Sequence, residues 1–95
     1  MLDSVLQKEK CCFVCGAMQG LECHHIYGGI ANRPISEKLG LKVWLCVEHH
    51  RGTDGVHGKN GKILMEHLHK KGQEYFEEHY GNRMDFIKSF GKSYL

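Results

Sequence analysis

The chain has 95 residues, 41% of them hydrophobic, which allows one small domain and is too apolar for a disordered chain. A formal net charge of +2 and a pI near 8.3 permit a nucleic-acid partner without demanding one, since a value above about 9 is needed to argue that alone. No apolar run approaches the roughly 18 residues of a membrane span. Met1-Leu2-Asp3-Ser4-Val5 has neither the basic nor the apolar region of a signal peptide, so the expected address is the cytoplasm.

In chain order, Leu2, Val5 and Leu6 have helical spacing and predict a first helix over 2–10. Cys12 to Gly16 reads as a turn, a C-x₂-C loop closed by glycine. Leu21 to Ile26 is short enough for a strand and is followed by the turn signal Gly28-Gly29. Ser36 to Leu39 predicts one helical turn ended by Gly40, and Leu41 to Leu45 a second strand. Cys46 to Arg51 opens a helix that Gly52, Gly55, Gly58 and Gly61 interrupt, leaving a glycine-rich loop. Ile63 to Tyr80 predicts the longest helix, with Leu64, Leu68, Tyr75, Phe76 and His79 on one side and Gly81 as its stop. Asn82 with Asp85 reads as an N-cap and its partner, opening a last helix through Phe90. This order predicts a single α+β domain over 1–95.

Five cysteines and eight histidines are the unusual feature. An odd count excludes a complete set of internal disulfides, and clustered Cys and His in a reducing compartment read as metal ligands. Cys12 and Cys15 present two thiolates from one tight turn, and Cys46 and His49 supply a second pair at the same spacing, so these four are expected to hold a structural zinc. Such an ion can contribute on the order of 10 kcal/mol or more to folding, which a domain this small would use. Cys11 and Cys23 are left over; Cys23 beside His24 is a rival ligand, but both read as structural or incidental. A second group is His24 and His25 with His50, and with His57 as a further candidate. Neighbours on a strand point to opposite faces, so one of His24 and His25 is expected to bind a metal while the other takes a proton from water. Asp54 competes with His57 for the remaining ligand position.

These residues resemble the HNH (ββα-metal) endonuclease superfamily in its zinc-stapled form. The matching pattern is Cys12-x₂-Cys15, then His24-His25-Ile26 with Gly28-Gly29, then Leu45-Cys46-x₂-His49-His50, with the usual second C-x₂-C varied to C-x₂-H. The stretch from Asn32-Arg33 through Trp44-Leu45-Cys46, with Gly55-Val56-His57 beyond, is also similar to small phage and prophage proteins of this type, including the recombination-enhancement nucleases of phages. The resemblance implies a ββα-metal, treble-clef-like core at about 11–58 followed by C-terminal helices at about 61–95. It implies that His24 and His50 bind a catalytic divalent ion (Mg²⁺, Mn²⁺, Ni²⁺ or Zn²⁺) and that His25 is the general base. The family's middle asparagine, which orients that base, has no counterpart in Gly40-Leu41-Lys42, and Asn32 is the nearest substitute. The implied activity is metal-dependent hydrolysis of DNA phosphodiesters in a phage's or prophage's host cell. Arg33, Lys38, Lys42 and Arg51 flank the motif as candidates for holding phosphates, although exposed basic residues are more often only solvated. The competing expectation is a zinc module that binds nucleic acid or protein without catalysis; a structural assembly factor docking through the 63–80 helix is a third.

Overall fold

The computed structural model describes residues 4–95. Six elements follow one another: strand β1 (Leu21–His25), helix α1 (Arg33–Leu39), strand β2 (Lys42–Cys46), helix α2 (Val47–Arg51), helix α3 (Lys62–His79) and helix α4 (Arg83–Phe90). The strands pair antiparallel from Leu21 opposite Cys46 to His25 opposite Lys42. Strand alternation sends Glu22 and His24 to one face and Cys23 and His25 to the other. Both strands and the three later helices stand within a residue or two of their expected places.

The connection between the strands is short because α1 is tightly terminated. Pro34 lies in its first turn, where a missing N–H breaks no helical bond. Gly40 closes it in the left-handed region at φ 74°, and Leu41 N–H then donates to the Ser36 carbonyl. The Ser36 hydroxyl is fully buried; it accepts from Tyr27 N–H and donates to the Tyr27 carbonyl, both at 3.1 Å. Those two bonds fix α1 against the end of β1.

One hydrophobic cluster joins the sheet to the C-terminal helices: Ile26, Tyr27, Leu41, Val43 and Leu45 pack with Leu68, Phe76, Phe86 and Phe90. Tyr27 lies at its centre, its hydroxyl donating to the His69 carbonyl at 2.6 Å. It can reach that far because residue 72 is glycine; a Cβ there would stand 2.6 Å from the Tyr27 hydroxyl oxygen. The α4 start is the expected one, with Asn82 and Asp85 forming a reciprocal capping box.

Two expectations need correction. Residues 4–10 form no helix, and positions 2 and 3 of that expected helix lie outside the described residues. Instead the segment's polar groups serve the sheet: Val5 N–H donates to the Gly40 carbonyl, and the Gln7 side chain accepts from Trp44 N–H while donating to the Cys11 carbonyl. Those tertiary bonds outweigh a weak helical periodicity. On α3 the buried side is Leu68, Gly72, Gln73 and Phe76, with Leu64 and Tyr75 half-buried. His79 is 50% exposed beside Glu78, not part of the apolar side.

Candidate metal centres

The first centre assembles where the N-terminal turn meets the end of β2. Phe13 N–H donates to the Trp44 carbonyl, and Cys12 N–H to the Ala17 carbonyl, which lays the turn beside β2. Cys46 ends β2 and His49 lies in the following helix α2. The ligand atoms of Cys12, Cys15, Cys46 and His49 all fall within 4.8 Å of one another. Cys15 and Cys46 sulfurs are 3.8 Å apart, and His49 Nδ1 is 3.2 Å from Cys46 Sγ and 3.7 Å from Cys12 Sγ. A tetrahedron with metal–sulfur bonds of about 2.3 Å has edges of about 3.8 Å. That separation is far beyond the roughly 2.05 Å of a disulfide, and all five cysteines are free thiols. Burial raises the Cys12 thiol, but the backbone N–H groups of Cys15, Cys46 and Val14 outweigh it and bring Cys12 down to about 6. At Cys15 the Ala17 N–H favours the thiolate, yet the neighbouring sulfurs of Cys12 and Cys46 push it up. Three sulfurs this close ionise together only around a cation. These four residues are positioned to hold a metal ion, and Cys11 and Cys23 lie outside the set.

The second centre lies on the other side of α2. His24 from β1, His50 from α2 and His57 from the glycine-rich loop bring their ring nitrogens within 4.8 Å of one another. His57 arrives there because the loop winds back onto α2: Val56 N–H donates to the His49 carbonyl and His57 N–H to the His50 carbonyl, both at 3.0 Å. The winding is tight enough that a Cβ on Gly58 would run into the Gly52 carbonyl. Asp54, the competing candidate, is not part of the group and accepts from the Asn60 amide.

His24 is only 4% exposed, and its Nε2 is the one buried side-chain polar atom without a hydrogen-bond partner among the described residues. Burial, reinforced by His57 and His50, pushes its pKa down to about 3. His57 is lowered as well, by burial and then by His50. A neutral, buried imidazole with an idle nitrogen beside two others fits the chemistry of a metal ligand. His50 Nδ1 pairs with Glu22 Oε1 at 2.7 Å, which leaves Nε2 as its free nitrogen. Glu22 is itself gripped by Arg51, at 3.0 Å from Nε and 2.7 Å from Nη2. Arg51 first, and His50 second, hold the Glu22 carboxyl below its ordinary range.

His25 points to the opposite face of β1, yet it borders the same cavity as His24. That cavity of about 480 Å³ is also lined by Arg33, His50, His57, His69 and Tyr94. His25 Nε2 lies 2.8 Å from Glu37 Oε1, and Glu37 Oε2 accepts from Lys42 Nζ at 2.7 Å. Lys42 first, then His25, holds the Glu37 carboxyl down at about 2.

The expected residues therefore divide. His24, His50 and His57 converge, His25 adjoins them, and Arg33 lines the cavity with its side chain exposed. Asn32 does not serve His25: its amide donates to the Phe90 carbonyl at 3.2 Å. Lys42 is corrected too, since it is 2% exposed and its ammonium is committed to Glu37. Arg51 remains exposed but its guanidinium is paired with Glu22, so it offers no unopposed charge to a phosphate. Lys38 is exposed on α1, outside the cavity lining. Glu22 and Glu37 are the residues that sequence reasoning missed. Glu22 had a signal, standing two positions before His24 and so on its face of the strand; Glu37 had none at short range.

No family model, no curated protein and no solved structure matches this chain.

Proposed function

We propose that this chain is a metal-dependent DNA endonuclease of the HNH (ββα-metal) type, of phage or prophage origin, with zinc at the Cys12–Cys15–Cys46–His49 centre. The observation that carries the reading is the three-imidazole group of His24, His50 and His57, with its buried and unpartnered His24 nitrogen, bordering the same cavity as His25. β1, β2 and α2 would form the ββα-metal core, with the loop after α2 adding His57. A divalent ion held by these three residues would stabilise the charge that develops on the scissile phosphate and the leaving oxygen.

The chain's own residues do the rest. His25, at the edge of the same cavity, is the residue whose free ring nitrogen would take a proton from the attacking water. Arg33, exposed at the cavity wall, is the basic residue placed to receive a phosphate. The resemblance in sequence supports the same roles for His24, His25 and His50.

Zinc-loaded protein incubated with plasmid and Mg²⁺, Mn²⁺ or Ni²⁺ should nick or linearise the DNA. His25→Ala should keep its zinc and lose about 10²–10⁴-fold in rate. Wild-type protein that takes up one zinc, no second ion, and cleaves nothing under any of these ions would replace the nuclease by a zinc module that binds nucleic acid or protein.

A further inference from the structure

Glu37 is the residue that the catalytic reading leaves without a role. It sits in α1, which Ser36 fastens to the end of β1, and its two oxygens do different work. Oε2 meets the ammonium of Lys42, a residue that the strand register places directly opposite His25. Oε1 meets His25 Nε2 at 2.8 Å. Lys42 is 2% exposed, and a buried ammonium without a counter-charge is costly, so this pair keeps the carboxylate ionised. An ionised carboxylate can only accept a hydrogen bond. The nitrogen facing it must therefore carry the proton.

We propose that Glu37, clamped by buried Lys42, is a positioning residue that fixes His25 as its Nε2–H tautomer and presents Nδ1 to the cavity. The proposal rests on the nuclease reading for its purpose, although the tautomer itself does not. Glu37 thereby supplies the orienting contact for which Asn32 was the sequence candidate. A merely structural ion pair with Lys42 would need only one carboxylate oxygen; the second is directed at the base histidine.

The geometry makes Glu37→Gln an informative variant. The buried Lys42 ammonium needs an acceptor and takes the amide oxygen, so the amide NH₂ turns to His25. Two donors cannot face each other, and His25 must shift its proton to Nδ1, the atom that should receive one. Replacing Lys42 by Met in the same chain frees the amide to rotate its oxygen back to His25.

The test has two readouts on zinc-loaded protein. The first is the His25 ring ¹⁵N spectrum at mildly alkaline pH, which distinguishes the tautomers without any cleavage. Wild type should show Nε2–H, Glu37→Gln should show Nδ1–H, and Glu37→Gln/Lys42→Met should return to Nε2–H. The second is steady-state cleavage. Glu37→Gln should lose about 10²-fold in kcat with KM and second-ion affinity little changed, and the double variant should recover most of it. An Nδ1–H tautomer in wild type overturns the proposal and needs no variant to fold. So does a Glu37→Gln protein that keeps wild-type kcat, or a double variant as slow as the single one. Absent cleavage by wild type with the expected tautomers counts instead against the nuclease reading.

Discussion

Glu22 offers the sharpest perturbation of the three-histidine centre, because it touches that centre through one atom only. Its Oε1 meets His50 Nδ1 at 2.7 Å, and Arg51 holds the same carboxylate by two bonds. Glu22→Ala removes the acceptor that fixes both the tautomer and the ring angle of His50. Outer partners of metal-bound histidines typically contribute 10–100-fold in affinity, and Glu22→Ala is expected to lose that much. Glu22→Gln keeps an oxygen for His50 but loses the charge that grips Arg51, so it should fall near the lower end. Arg51→Ala separates the contributions: it leaves the His50 bond in place and should cost less ion affinity than Glu22→Ala. The assay is calorimetric titration of zinc-loaded protein with Mn²⁺ or Ni²⁺, with zinc content checked by elemental analysis. Unchanged affinity in Glu22→Ala, with His50→Ala abolishing binding, would refute the reasoning: His50 would then be a ligand that needs no carboxylate behind it.

Leu68 is fully buried, so Leu68→Ala should destabilise by about 2–5 kcal/mol; an unchanged denaturation midpoint would place it outside the core. Gly72→Ala sets a methyl 2.6 Å from the Tyr27 hydroxyl oxygen and should cost about 1–3 kcal/mol as an overpacked core position; wild-type stability would mean that Tyr27 moves aside freely. His24 links stability to pH in protein whose zinc is in place and whose second centre is stripped. Its pKa stands at about 3 against an ordinary 6.5, so between those values the unfolded chain binds the extra proton. Stability is therefore full above 6.5 and falls below it by about 1.4 kcal/mol per pH unit from this group, in addition to the zinc release that acid causes in any variant. Urea unfolding at several pH values should show a steeper acid loss for wild type than for His24→Ala, and parallel curves would contradict the burial of a neutral imidazole.

The parts of this molecule legible from sequence are those specified within a few residues. C-x₂-C and C-x₂-H close locally, so each half of the first centre is visible before the chain folds. Alternation along 41–45 marks a strand, Gly40 and Gly81 mark stops, and Asn82 with Asp85 announces a cap that is realised bond for bond. Period-2 reasoning also separates His24 from His25, the division that makes two roles conceivable. What local reading misses is set by partners far along the chain. The 2–10 stretch has helical spacing, yet Gln7 bonds to Trp44 across 37 positions, and no window on the N-terminal segment contains Trp44. Lys42 looks like a free cation beside a catalytic motif until the antiparallel register puts it opposite His25 and α1 brings Glu37 between them. His57 and Asp54 are equal candidates in a glycine-rich loop, and only the winding of that loop onto α2 separates them.

That winding, and the shortness of α2, couple the two centres. α2 spans five residues, Val47–Arg51, too few to hold a helical conformation unaided. His49 and His50 are consecutive on it, one facing the sulfur cluster and the other the imidazole cluster. An ion at the first centre would bind Cys46 at the helix start and His49 one turn on, and so would set where His50 points. His57 depends on the same segment, since its loop hangs on the carbonyls of His49 and His50. None of the first four ligands lies on that loop. Binding at the two centres should therefore be linked, each ion raising the other's affinity by the same factor, with the four-ligand centre holding its ion the more tightly. Mild chelation should strip the second ion and leave zinc bound and the fold intact. Cys46→Ser should lose zinc, on the order of 10 kcal/mol of binding energy in comparable sites, and lose second-ion binding with it. A Cys46→Ser protein that takes up Mn²⁺ with wild-type affinity would show that β1 and the loop hold the three histidines without help from the sulfur cluster.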